Sequence, residues 1–82
     1  MRNENLEMSI LWELRTVECG LRETALKAAV SLRMDRYDIT TAEFDEAIRN
    51  LENAGCVTRW NDCLGRKFWG ITNLGKQTTE GK

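Results

Sequence analysis

The sequence predicts a mainly α chain with a small β-hairpin, an α+β architecture of three core helices and a two-stranded wing. Three observations predict it. Thr40 and Glu43 form a T-x-x-E capping box, with Ile39 and Phe44 at the two positions of a hydrophobic staple. Phe44, Ala47, Ile48 and Leu51 then repeat at the spacing of one apolar helix face, and Gly55 falls where a left-handed residue ends a helix, with Cys56 able to close back onto Leu51. The chain becomes strand-like at once, through 56–60, a polar turn at 61–65 and a returning strand at 67–72. A helix over 41–54 that runs straight into a basic hairpin over 56–72 is the core of a winged helix, and the other elements are arranged around it.

The first helix is expected from about Asn5 to Cys19. Asn5 is its N-cap, Glu7 suits the positive first turn, and Gly20 ends it. Leu6, Ile10, Leu14 and Val17 make its inner stripe with Leu11 beside them, and Trp12 lies off that stripe, flanking the core. A second helix is expected from Arg22 to Met34, burying Leu26, Ala29, Val30 and Met34, with Ala25 and Ala28 small enough for close helix packing. Residues 35–38 break the chain before the organising helix, in a link longer than the turn of a tight helix-turn-helix. In the hairpin, period-two alternation puts Trp69 and Ile71 toward the helices and pairs Trp60 with Phe68 on the outer side. Leu74 is a further core candidate, and Thr72 caps a short last helix through Lys76 to Thr79.

Eighty-two residues form one small domain over 1–82, with a core at about 5–79. The mean hydropathy of −0.50 and 41% hydrophobic content describe a soluble globule. No apolar run reaches membrane-spanning length, and Met1–Glu7 is too polar for a signal peptide, so the expected location is cytoplasmic with no membrane partner. Net charge is −1, unevenly spread: residues 1–55 hold 11 acids and 7 bases, residues 56–82 hold 2 acids and 5 bases. The hairpin and tail are the basic end of an acidic protein, which points to an anionic partner.

The three cysteines, at 19, 56 and 63, are odd in number and lack a C-x-x-C, which argues against a disulfide framework or a zinc site. They are read as small buried or half-buried thiols, with Cys63 in the polar turn the one exposed candidate. The absence of histidine excludes most metal sites and acid–base triads. No glycine-rich phosphate loop or nucleophile–base pair is visible, so neither catalysis nor a cofactor or metal is expected.

The run Ala47-Ile48-Arg49-Asn50-Leu51-Glu52-Asn53-Ala54-Gly55-Cys56-Val57-Thr58-Arg59 resembles the passage that closes the recognition helix of winged-helix regulators. Gly65-Arg66 follows in the wing, and Trp69-Gly70-Ile71-Thr72-Asn73-Leu74-Gly75 resembles the ending common in regulators of the MarR and PadR kind. The resemblance covers about residues 10–76. It implies a winged helix and a small double-stranded-DNA-binding protein, a transcriptional regulator.

On that resemblance the helix starting at Thr41 enters the major groove and the wing meets the backbone or minor groove. Arg49 is placed to read guanine and Asn50 adenine, while Thr40, Thr41 and the first-turn N–H groups hold a phosphate. Arg59, Arg66 and Lys67 grip the backbone or a narrow minor groove, interleaved with Trp60 and Phe68. Asp45 and Glu46, on the leading face, oppose a polyanion. They keep a second reading open: a protein-docking module that uses the acidic face with Glu52, or a homodimer formed through exposed Trp12 or Trp60. A dimer through the first helix would use Met8 and Trp12.

Overall fold

The computed structural model describes residues 4–17, 19–36 and 38–80. The chain ends, residue 18 of the expected first helix and residue 37 of the expected break fall outside them. The described residues form four helices and a three-stranded antiparallel sheet: α1 (Glu4–Arg15), β1 (Leu21–Arg22), α2 (Glu23–Met34), α3 (Thr41–Asn53), β2 (Val57–Asn61), β3 (Lys67–Ile71) and α4 (Asn73–Glu80). This is the expected mainly α winged helix, with one more strand than expected. The strand order is β1-β3-β2.

The core lies where α1, α2 and α3 converge on the inner face of the sheet. Leu6, Ile10, Leu11 and Leu14 from α1 meet Leu26 and Val30 from α2, and Phe44, Ala47, Ile48 and Leu51 from α3; Val57 and Trp69 close it from the sheet. Burying an aliphatic or aromatic side chain contributes about 1.5–3 kcal/mol, so these stripes hold the three helices together.

The entry to α3 follows its sequence. Thr40 is extended and its Oγ1 accepts from the Glu43 N–H at 3.1 Å. The Glu43 carboxylate itself accepts from Arg36, which also pairs with Asp38 and so ties the link to the helix. The exit is a Schellman closure, with Cys56 N–H donating to Leu51 O (2.9 Å), Gly55 N–H to Glu52 O (3.0 Å), and Gly55 at φ +80°. At the end of α2 the left-handed residue is Asp35, at φ 53°, and Arg36 N–H donates to Ser31 O.

Several expectations are corrected. Helix α1 stops at Arg15 rather than Cys19, and Asn5 lies inside it rather than capping it. The Thr16 hydroxyl takes the Glu13 carbonyl, and Val17 N–H closes a tighter turn on Leu14 O, so the helical ladder ends before Gly20. Leu21–Arg22, expected to open α2, forms β1 instead, pairing Leu21 with Trp69 and Arg22 with Phe68. Ala25 and Ala28 are exposed and take no part in helix packing.

Leu74 is 50% exposed, and its neighbour Gly75 is buried in its stead. A Cβ at Gly75 would overlap the Cys56 carbonyl oxygen, so only glycine lets α4 approach so closely. Helix α4 is also longer than expected. Thr72 Oγ1 accepts from Gly75 N–H at 3.1 Å as its cap, and Arg15 fastens its far end through Thr79 and Glu80. Of the cysteines only Cys56 is buried; Cys19 is exposed as well as Cys63.

Candidate nucleic-acid interface

Helix α3 shows the core one face and leaves Arg49, Glu46 and Asn53 on the other, away from the core. The hairpin stands beside that face because the corner at Gly55 and Cys56 leaves no slack between helix and strand. In the hairpin Val57 pairs with Ile71, Arg59 with Trp69 and Asn61 with Lys67 on one face; Thr58 pairs with Gly70 and Trp60 with Phe68 on the other. The inner face carries Trp69, 3% exposed, into the core. It also aims Arg59 and Lys67 toward α3, where with Arg49 they line a notch of about 130 Å³.

That notch is electrically mixed. Asp45 and Glu52 from α3 and Glu23 from α2 line it too, matching the three bases with three acids. Arg59 sits 4.0 Å from Glu52, and its guanidinium carbon lies 5.8 Å from the Trp69 ring centroid. Such half-exposed pairs contribute at most about 1 kcal/mol, so their effect is to hold Arg59 in place and partly offset its charge.

The wing tip is built around Asp62. One carboxylate oxygen accepts from the N–H groups of Leu64 and Arg66, both at 2.9 Å, and the other accepts from the Arg66 Nε at 2.5 Å. Gly65, at φ +78°, returns the chain, and Asp62 N–H donates to Arg66 O. Lost water contact pushes the Asp62 carboxyl up, but the bonds from the Arg66 backbone, the Arg66 guanidinium and Leu64 outweigh it and hold it below its ordinary 3.8. Arg66 is thus fixed at the tip, with four further N–H donors beyond the one given to Asp62.

The remaining sequence candidates fall around α3. Thr40 caps the helix, and the exposed Thr41 accepts from Lys27 Nζ at 3.0 Å, which brings a further cation beside the helix start. Asn50 is engaged elsewhere, being half-buried with its Nδ2 donating at 3.3 Å to Glu7 Oε2 on α1. The structure therefore groups Arg49, Arg59 and Lys67 around the notch, puts Arg66 at the tip and Thr40, Thr41 at the helix start, and turns Asn50 inward. Sequence reading missed Lys27 and Arg22, which joins Arg66 and Lys67 in lining a second cleft of about 150 Å³. The signal for Arg22 would have been the strand it belongs to.

Among the described residues no group of three or more cysteine, aspartate or glutamate side chains could hold a metal ion, and no helix is long and apolar enough to cross a membrane.

An α2–α3 helical pair followed at once by an antiparallel wing, with a short third strand from before α2, is a winged-helix fold, and MarR-family transcription regulators of solved structure share it. Solved structures of that type superpose over nearly all of the chain. A MarR-family transcriptional regulator from Silicibacter pomeroyi matches with a TM-score of 0.78 at 18% identity, over 94% of this chain and 47% of that one. A Staphylococcus aureus MepR mutant bound to an oligodeoxyribonucleotide matches with a TM-score of 0.71 at 24% identity, over 93% and 52%. MepR, a transcription regulator of the S. aureus multidrug efflux pump MepA, matches with a TM-score of 0.67 at 20% identity, over 98% and 54%. The chain thus spans about half the length of these proteins. By sequence, no family model and no curated protein matches it.

Proposed function

We propose that the protein is a DNA-binding module of a transcriptional regulator, with α3 in the major groove and the β2–β3 wing on the adjacent backbone or minor groove. The observation that carries this reading is the fixed apposition of the Arg49 face of α3 with a wing bearing Arg59, Arg66 and Lys67. The oligonucleotide bound to one MepR mutant of the same fold supports it. In this reading Arg49 takes a guanine edge, Thr40, Thr41 and the first-turn N–H groups take a phosphate, and the three wing cations hold the backbone. Asn50 is left out, because reading adenine would require it to give up Glu7. The acidic residues of the notch make the interface selective: they weaken indiscriminate attraction to phosphate, so affinity depends on the base contacts of α3.

The test is fluorescence anisotropy of the protein with a labelled random-sequence duplex at low and physiological salt. About three phosphate contacts predict log K falling with log salt at a slope near −3. Arg66→Ala then weakens all duplexes about equally, while Arg49→Ala relaxes preference at one base position of a selected site. A duplex affinity untouched by both substitutions, or no binding at low salt, refutes the proposal.

A further inference from the structure

The sheet face turned away from the helices is used by none of the contacts above. Across its three strands one row reads Arg22 on β1, Phe68 on β3 and Trp60 on β2. The rings of Trp60 and Phe68 lie 15° from parallel with centroids 6.0 Å apart. Trp60 is seated in a gap made by two glycines: a Cβ at Gly20 would come within 2.5 Å of the indole, and one at Gly70 within 2.9 Å. The outer rim of the indole's six-membered ring (Cζ2, Cη2, Cζ3) is set against these glycines while the residue stays 40% exposed. The strand residues of this face carry a single charge, the exposed Arg22, and beside it Arg66 and Lys67, with Glu23 and Thr24, line the second cleft, three bases against one acid.

We infer that this outer face binds single-stranded DNA, an unpaired base stacking on the Trp60–Phe68 tile and its phosphate meeting Arg22. Neighbouring strands are about 4.8 Å apart, so Arg22, one strand beyond Phe68, carries a long cationic side chain within reach of a phosphate beside a base on the tile. Aromatic platforms flanked by cations hold unpaired strands without reading their sequence. Among the described strand residues of this face Thr58 is the one uncharged polar side chain, and Glu23 and Thr24 stand at the cleft beyond Arg22. Next to the aromatic tile a ribose 2′-hydroxyl therefore finds little to replace its water, which favours deoxyribose. The exposed part of the Trp60–Phe68 pair is aromatic surface of the kind on which an unpaired base stacks.

The experiment is anisotropy of a labelled 12-nucleotide oligo(dT) at low salt, together with the indole N–H resonances of the three tryptophans. Wild type binds, and the Trp60 resonance shifts while that of Trp12 does not. Trp60→Phe keeps affinity within about threefold, whereas Trp60→Leu loses about 10- to 100-fold. Arg22→Glu, at an exposed position, loses at least about tenfold and keeps the test decisive should Trp60→Leu not fold. Arg49→Ala leaves oligo(dT) binding unchanged, so this inference and the duplex proposal stand or fall separately. The inference is overturned by absent binding, by a folded Trp60→Leu that binds like wild type, by tighter binding of oligo(rU), or by a Trp60 shift that follows protein concentration alone, which would mean that a second copy covers the face.

Discussion

The amide of Asn50 on α3 donates to the carboxylate of Glu7 on α1 across 3.3 Å, and Glu7 is only 4% exposed. A polar bond inside an otherwise apolar helix interface ties α3 to α1 and helps set how α3 is rotated about its axis. Removing the donor takes one hydrogen bond from a carboxylate that keeps its other contacts, so the cost is close to that of the bond itself. Asn50→Ala is expected to lower stability by about 0.5–1.5 kcal/mol, read as a shift of the urea midpoint. If Asn50 instead serves base recognition, stability will hardly move and duplex affinity will fall.

Glu52 restrains Arg59 from the same helix that is proposed to enter the groove. Glu52→Gln removes the negative charge and keeps the shape. Duplex affinity is expected to rise up to about fivefold, with a steeper salt dependence, in keeping with the small energies of exposed ion pairs. Unchanged affinity and slope would show that Arg59 does not reach phosphate.

The wing tip should be sensitive to acid. A carboxyl held below its ordinary value in the folded protein adds stability above that value and loses it as pH falls through the lower folded one. The order that Asp62 gives Leu64 and Arg66 should therefore persist at neutral and mildly acidic pH and dissolve only below about pH 3.8, its ordinary value. The amide resonances of Leu64 and Arg66 report it directly. In Asp62→Asn the acid transition of those two amides should vanish.

Two glycines distinguish crowding from backbone conformation. Gly75→Ala drives a methyl against the Cys56 carbonyl and the Ile71 side chain, and backbone cannot yield as a flexible side chain would. A loss of about 1–3 kcal/mol in urea denaturation is expected. Gly65 has φ +78° but open space around it, so Gly65→Ala should cost about 1–2 kcal/mol through the left-handed conformation alone. It should also perturb only the wing-tip resonances, whereas Gly75→Ala should perturb α3, the sheet and α4 together.

What the sequence made legible was local. The capping of α3 by Thr40, the closure at Gly55 and the pairing of Trp60 with Phe68 each depend on residues within a few positions or on strict alternation, and all are present. Strand β1 was hidden because two residues have no period; only the partner Trp69, far along the chain, makes Leu21 and Arg22 a strand. The buried state of Glu7 was hidden for the same reason, as its partner Asn50 lies on another helix. Leu74 misled because hydrophobicity predicts burial only where there is room, and the space beside Cys56 admits no side chain at all. Of the candidate interface, the charges could be read in order along the chain. Their neutralisation by Glu52 and Asp62 required the fold.

Around Gly55, Cys56 and Thr72 four elements are riveted at one point. Cys56 N–H holds the end of α3, Cys56 O accepts from Thr72 N–H, the Thr72 hydroxyl donates to Gly55 O and accepts from the first turn of α4, and Gly75 rests on the same Cys56 carbonyl. A joint of that kind transmits torque without bending. A turn of α4 about this joint would carry α3 and the wing with it as one lever, changing their pose while leaving the span between them unaltered.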